Sequence, residues 1–142
     1  MSDDFFIRPF FRSDTDVVIA LWDRCGLLSP ENDPRRDITR KLKVRPDLFL
    51  VGETAGAVVA TAMGGYDGHR GWLNYVGVDP RFQGCDYGRL ILAEVERRLR
   101  LEGCPKINLL VRDGNERVMA FYEKLGYATG RASLMGKRLV ED

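Results

Sequence analysis

The stretch YVGVDPRFQGCDYGRL, residues 75–90, decides how the rest of the chain is interpreted. It begins as a β-branched run typical of a strand, continues through a glycine-containing turn and ends in the first turns of a long helical pattern. A strand that leads through a tight turn into a helix exposes backbone N–H groups beside the positive end of the helix, which favours phosphate. Asp86 does not fit this interpretation, because a carboxylate repels an anion. Taken alone, the turn favours a purely structural role, since glycine serves any tight turn.

Strand and helix patterns alternate on both sides of this stretch. Short apolar or β-branched runs predict strands, and apolar residues at helical spacing between capping and breaking residues predict helices. The predicted strands are 5–10, 48–54, 57–66, 71–79 and 106–112, with one or two more within 128–139, and the predicted helices are 13–26, 33–45, 88–102 and 116–125. Because 106–112 is almost continuously apolar, we expect it to be buried on both faces of the sheet.

This order of elements predicts an α/β fold of the mixed α+β kind. The central sheet is mainly antiparallel and flanked by helices, with a hairpin at Ala55-Gly56 and one strand–helix–strand crossover between Tyr75 and Val111. The chain has no repeat, linker or low-complexity stretch. We therefore expect residues 1–142 to form a single domain, which is long enough to bury a core.

Composition and charge exclude several classes of function. Lys and Arg total 22 against 21 for Asp and Glu, so no electrostatic sign of a nucleic-acid partner is present. The three cysteines, Cys25, Cys85 and Cys104, have neither the spacing of a zinc site nor that of a disulfide framework, so we expect no metal. The sequence has no signal-peptide pattern and no apolar run of membrane length, which predicts a cytoplasmic protein without a membrane partner.

Two further residues could carry chemistry. Gly77, inside the strand before the turn, is typical of a bulge or of a close approach by a ligand, although packing alone explains such a glycine equally well. Tyr122, on the last helix, has a phenol that could give a proton to a leaving thiolate. A lone tyrosine on an amphipathic helix is more often a core residue.

The combination of these features is more specific than its parts. The sequence resembles the GNAT superfamily of acyl-CoA-dependent N-acetyltransferases through Val78-x-Pro80-x-x-Gln83-Gly84-x-x-x-Gly88 and, one helix and one strand later, Asn115 and FYEKLGY at 121–127. The stretches LWDRCGLL at 21–28, ENDPRRDITRKL at 31–42 and MGGYDGHRG at 63–71 are similar to small bacterial acetyltransferases of the YpeA type. The likeness extends over the whole predicted domain.

This resemblance implies a function and a set of site residues. Acetyl-CoA would be the cosubstrate, its acetyl group passing by direct attack to an amine of a small molecule or a protein, with Tyr122 as general acid and no metal. The strand before the turn would pair with the pantetheine arm, and the motif Q/R-x-x-G-x-G/A, here Gln83, Asp86 and Gly88, would bind the pyrophosphate. The implied CoA contacts are Val76, Gly77, Val78, Gln83, Gly84, Cys85, Asp86, Tyr87, Gly88, Arg89 and Asn115. Exposed edge strands are compatible with a homodimer.

The sequence also departs from the family pattern. Asp86 stands where the motif has a glycine, and Cys85 where arginine is common, so the rival hypothesis is a non-catalytic module of the same fold with an impaired CoA site. No general base is evident, since Leu110 occupies a position where some members carry glutamate. His69 is a candidate base, but a structural histidine bonded to Asp67 is the stronger interpretation. The charged segment 31–41, in the region that shapes the acceptor pocket in the family, is interpreted as a solvated helix face.

Overall fold

The computed structural model describes residues 4–142, and the first three residues of the predicted domain lie outside it. Five strands form one sheet in the order β1-β2-β3-β4-β5. Their bounds are β1 Phe5–Pro9, β2 Phe49–Thr54, β3 Ala57–Tyr66, β4 Gly71–Val78 and β5 Ile107–Leu109. The first four strands are antiparallel to their neighbours, and β5 is parallel to β4. The mixed, mainly antiparallel sheet is therefore confirmed.

Four helices flank the sheet. They are α1 Thr15–Arg24, α2 Pro34–Lys41, α3 Tyr87–Leu101 and α4 Glu116–Lys124. Asp33 caps α2 as its sequence suggests, because its carboxylate accepts the N–H groups of Arg35 at 2.9 Å and Arg36 at 3.4 Å. Ser13 and Asp16 resemble a capping box in the sequence, but the start of α1 differs, because Asp14 accepts the Phe11 N–H at 2.7 Å.

The core consists of two layers, one on each face of the sheet. Alternate residues of β2 point to opposite faces, so Leu50 joins one layer while Phe49 and Val51 join the other. The first layer, the α3 face, packs helices α3 and α4 on the sheet, with Ile91, Leu92, Val95, Leu99 and Tyr122 buried. The second, the α1 face, packs α1 and α2, with Val18, Trp22 and Ile38 buried.

Two predicted features are wrong in the last third of the chain. Strand β5 has three residues and is half-buried at the edge of the sheet, whereas 106–112 was predicted to be a strand buried on both faces. Its shortness follows from its pairing, because it contacts only the first three residues of β4. No strand occurs between 128 and 142 in the structure, where the chain is exposed throughout.

Within residues 4–142 no helix combines the length and the apolar character needed to cross a membrane.

Candidate active site

The pairing of β4 leaves an opening in the sheet. Strand β5 pairs with Gly71, Trp72 and Leu73, so the remainder of β4, from Asn74 to Val78, has no strand beside it on that side within residues 4–142. An extended ligand can bind along this free edge as an added strand does. The Val78 carbonyl is the exception, because it already accepts from the Cys25 thiol and from the Gln83 amide. The predicted contacts Val76, Gly77 and Val78 lie along this edge.

A bulge in β4 lies where this free edge begins. Thr61 of β3 faces Gly77 and Met63 faces Asn74, so Tyr75 and Val76 together oppose a single residue of β3. Tyr75 takes a left-handed conformation with φ of 50°. The prediction of a bulge at Gly77 is therefore displaced by two residues. Gly77 is closely packed instead, because an added Cβ would lie 3.0 Å from a Leu27 methyl group, which would have to shift slightly to admit it.

Side chains from two other elements fix the orientation of this bulge. The Thr61 hydroxyl donates to the Tyr75 carbonyl at 2.9 Å and accepts the indole N–H of Trp22 at 3.0 Å. The Trp22 ring also stacks on the Tyr75 ring, with centroids 3.8 Å apart. Because a trans peptide places its C=O and N–H on opposite sides, the Val76 N–H points away from β3 and toward the free edge. One backbone donor is therefore directed into the opening.

The predicted phosphate turn follows the free edge directly. Gly84 has φ of 90° and open space where a Cβ would stand, which permits close approach to the backbone. Helix α3 begins at Tyr87, and the N–H groups of its first turn have no acceptor within a helix. Gln83 and Cys85 are exposed, and the Gln83 amide donates to the Val78 carbonyl at 3.3 Å. The Cys85 N–H already donates to the Phe82 carbonyl at 3.3 Å, so the donors open to an anion include those of the first turn of α3.

Asp86 fits the turn better than its charge suggests. It takes the left-handed conformation with φ of 71°, which aspartate adopts more readily than most residues. Its carboxylate binds the guanidinium of Arg89, one turn into α3, with the Arg89 Nε 2.8 Å from Oδ2. This hydrogen bond lowers the pKa of Asp86, so the carboxylate stays ionised and is compensated by its partner.

Helix α4 packs on the start of α3 beside the end of β4. An added Cβ on Gly88 would lie 3.0 Å from the Phe121 ring and 3.6 Å from a Val78 methyl group, so these three residues meet at one point. The neighbouring Tyr122 is buried, and this burial raises its pKa to about 12. Among residues 4–142 its hydroxyl has no hydrogen-bond partner, which leaves its proton available to a ligand. Asn115 is exposed at the start of α4, and its side chain makes no capping bond.

Sequence reasoning missed a cavity beside the bulge, which is widely open to solvent and has a volume of ≈ 550 Å³. It lies between helix α2, strand β4 and the residues after β5, and its lining includes Asp37, Arg40, Lys41, Tyr75 and Arg112. The Asp37 carboxylate accepts the Tyr75 hydroxyl at 2.7 Å. Burial, together with this bond, raises the pKa of Tyr75. The interpretation of 31–41 as a solvated face is wrong for Asp37 and Lys41, which are half-buried.

The other sequence candidates lie away from this opening. His69 belongs to the exposed β3–β4 turn, at the opposite end of β4 from the bulge, and the Asp67 carboxylate accepts its backbone N–H at 2.7 Å. Leu110 is exposed, and no alternative carboxylate base lies on β4 itself. No group of three or more potential metal ligands occurs in the described part of the chain.

A free edge beside a bulged strand, followed by a glycine-containing turn at a helix start, matches the order of strand, turn and helix on which the resemblance rests. The chain belongs to the acetyltransferase (GNAT) family, whose model matches residues 15–127. It is therefore an acyl-CoA-dependent N-acyltransferase. Similar curated proteins include acetyltransferases of Sodalis glossinidius, 52% identical over 137 residues, and of Yersinia enterocolitica, 49% identical over 136 residues; each comparison covers 96% of both chains.

Solved structures with the same fold are more distant in sequence. An aminoglycoside N-acetyltransferase, AAC(6')-Iy, in complex with CoA is 16% identical with a TM-score of 0.78, covering 99% of this chain and 98% of the other. The ribosomal-protein-S18-alanine N-acetyltransferase of Escherichia coli is 19% identical with a TM-score of 0.76, covering 90% and 80%. These likenesses establish the fold.

Proposed function

We propose that this protein, as one domain over residues 1–142, transfers the acetyl group of acetyl-CoA to a primary amine. The observation that carries the proposal is the bulge at Tyr75 and Val76, where the Thr61 hydroxyl holds the Tyr75 carbonyl. We infer from the trans peptide that the Val76 N–H then faces the free edge of β4. An amide donor in this place suits the oxygen of a thioester, on which negative charge develops as the amine attacks.

The predicted CoA contacts divide between the strand and the turn. The pantetheine arm would bind along Val76, Gly77 and Val78, and the pyrophosphate would accept N–H groups from the turn at Gln83–Asp86 and from Tyr87, Gly88 and Arg89. The open space at Gly84 and the free first turn of α3 support this placement. Asn115, exposed at the start of α4, is assigned only through the resemblance.

In the proposed reaction the amine nitrogen forms a bond to the acetyl carbon while the bond from that carbon to sulfur breaks. The amine loses its proton to water, and Tyr122 gives the phenol proton to the departing thiolate. A phenol with a pKa of about 12 is fully protonated near neutrality. Burial raises the pKa of a thiol as well, so a thiolate in the same water-poor pocket becomes a better acceptor for that proton.

Substituting Tyr122 and the half-buried Tyr127 separately tests the role of Tyr122. Tyr122→Phe should lower kcat by about 10²-fold, the usual contribution of a positioned acid, when thiol release from acetyl-CoA is followed with a panel of amines. Tyr127→Phe is the matched control, because Tyr127 packs edge-on against Tyr122 and its hydroxyl is held by Glu96 at 2.8 Å. Equal turnover in both variants would show that Tyr122 is not the acid.

The rival function is a non-catalytic module whose CoA site is impaired by Cys85 and Asp86. The Asp86–Arg89 pair argues against strong impairment, because the carboxylate is already compensated. Titration of acetyl-CoA into wild type and Asp86→Gly measures what remains of the effect. We expect the dissociation constants of wild type and Asp86→Gly for acetyl-CoA to lie within about tenfold of each other. The variant should bind more tightly, because Arg89 is then free to pair with a phosphate. No binding by wild type and no turnover with any amine would favour the module.

A further inference from the structure

The cavity beside the bulge carries more positive than negative charge. Three cations, Arg40, Lys41 and Arg112, and one carboxylate, Asp37, line it. Arg40 is already compensated, with Asp37 at 3.2 Å and Asp142 at 2.6 Å. The excess therefore belongs to Lys41 and Arg112.

These two cations have no ion-pair partner within residues 4–142. The ammonium of Lys41 lies over β3, 3.6 Å from where a Cβ on Gly65 would stand, and burial lowers its pKa. Asp47, the carboxylate whose charge acts on Lys41, is bound to Arg45 at 2.7 Å. A half-buried ammonium without a counter-ion loses part of its hydration and gains no ion pair in return. A bound anion would supply that ion pair.

Arg112 is the second unpaired cation of the cavity lining among residues 4–142. It follows β5, whereas Lys41 belongs to α2, so the two charges approach the cavity from different elements. Glu31 does not pair with Arg112. The pKa of Glu31 is lowered mainly by a hydrogen bond from the Ser29 hydroxyl, and the charge of Arg112 contributes less. The cavity has a volume of ≈ 550 Å³, which suits a small molecule.

We propose that the acceptor is a small amine that also carries an oxyanion, a carboxylate or a phosphate, which Lys41 and Arg112 bind. This deepens the proposed function and rests on it, because Tyr75 both lines the cavity and forms the bulge at which the acetyl group would be transferred. With its oxyanion held between α2 and the residues after β5, such a molecule presents its amine to the thioester carbon. Asp37, fixed by Tyr75 and Arg40, is a carboxylate of the cavity lining that can face the ammonium before it loses its proton.

Matched pairs of amines test this inference. Phosphoethanolamine is compared with ethanolamine, and β-alanine with β-alaninamide, first by calorimetric binding in the presence of CoA and then by thiol release. Wild type should bind the anionic member of at least one pair about tenfold more tightly than the neutral member, which is the effect expected of one added ion pair. The pair with the larger ratio shows whether the site prefers phosphate or carboxylate.

Variants assign the preference to the two cations. Lys41→Gln and Arg112→Gln should each reduce the ratio of anionic to neutral affinity to about twofold or less, while Lys43→Gln, an exposed lysine beyond the end of α2, should preserve it. Urea unfolding of each variant verifies that it folds. A preference retained in both cavity variants, or no preference for an anionic member in binding and in turnover, overturns the inference.

Different results would contradict the acetyl transfer and the oxyanion site. Turnover that favours the neutral amines would leave the acetyl transfer standing and remove the oxyanion site. Preferential binding of an anionic amine that Lys41→Gln abolishes, without turnover of any amine, would keep the site and remove the acetyl transfer.

Discussion

Thr61 is the residue on which the bulge geometry depends most directly. Its hydroxyl is buried and uses both of its capacities, accepting from Trp22 and donating to the Tyr75 carbonyl. Thr61→Val keeps the shape but removes both bonds. The buried indole N–H then lacks an acceptor, at a cost of about 1–3 kcal/mol in the free energy of unfolding. With the Tyr75 carbonyl released, the Val76 N–H loses its fixed direction, so kcat should fall by about tenfold or more.

Thr54→Val is the control for this substitution. Thr54 is also buried on a strand, yet its hydroxyl has no hydrogen-bond partner among residues 4–142. Replacing it with a methyl group removes an unsatisfied polar atom, so we expect unchanged or slightly increased stability and unchanged kcat. Urea unfolding and steady-state kinetics on both variants make the comparison. A kcat for Thr61→Val as high as that for Thr54→Val would contradict the role given to Thr61.

At the level of elements, Asp79 joins the end of β4 to α1 and to the turn that follows. Its buried carboxylate accepts from Arg24 at 2.9 Å and from Arg81 at 3.0 Å, and it also caps the short 3-10 turn Pro80–Phe82 through the Arg81 N–H. The bond to Arg81 is the main favourable cause that holds the pKa of Asp79 well below its usual range. The start of the proposed CoA turn is therefore held by one ionised group.

This linkage predicts a pH-dependent stability. A carboxyl whose folded pKa is depressed stabilises the fold above its unfolded pKa of about 4, and this contribution is lost as the pH falls toward the folded value. Asp79→Asn should therefore cost about 1–2 kcal/mol at pH 7, a value kept low because both arginines are partly exposed. The difference from wild type should narrow steadily below about pH 5. Unfolding free energies from urea titrations at pH 7, 5, 4 and 3 measure it.

Asp16→Asn provides a comparison for Asp79→Asn. Asp16 is also paired with an arginine, Arg35, at 2.6 Å, but its side chain is 83% exposed. An exposed pair contributes little, so its loss should change stability by about 0.5 kcal/mol or less. If the difference in unfolding free energy between wild type and Asp79→Asn stayed constant from pH 7 to pH 3, the cost of the substitution would come from packing and not from the charge.

Local signals made most elements predictable and left the end of the chain unpredictable. The cap at Asp33, the hairpin at Ala55-Gly56 and the helix stop near Gly103 each depend on a few neighbouring residues, and each occurs as predicted. The length of β5 depends instead on where it meets β4, which is a non-local property. Apolar residues in 106–112 and 128–139 resemble strands whether or not a partner is beside them.

The candidate site shows the same division. The turn at 83–88 and Tyr122 could be proposed from sequence because each belongs to a motif of neighbouring residues. The cavity was missed because Asp37 and Lys41 come from α2, Tyr75 from β4 and Arg112 from beyond β5. In sequence, α2 contains charges of both signs that are typical of a solvated helix, and only the packing of α2 against β4 turns two of them inward.

At the scale of the whole molecule, the two ends of β4 have different roles: we expect the Gly71 end to contribute to stability alone and the bulged end to contribute to catalysis as well. Leu99, near the end of α3, packs at the Gly71 end of β4, where a Cβ on Gly71 would lie 2.9 Å from a Leu99 methyl group. Trp22 contacts the bulge near the other end, from the opposite face. Both side chains are fully buried, so truncation of either should destabilise the fold.

Their effects on catalysis should differ. Leu99→Ala leaves a cavity in the α3 face and should cost about 2–5 kcal/mol in unfolding free energy, while kcat and KM per folded molecule stay near wild type. Trp22→Phe should cost less stability but lower kcat, because Thr61 loses its indole donor and the stack on Tyr75 shrinks. Leu101→Ala, on the same helix with a side chain 75% exposed, should leave both quantities unchanged. If Leu99→Ala lowered kcat as much as Trp22→Phe, the two ends of β4 would be coupled, and the bulge would depend on the whole core for its geometry.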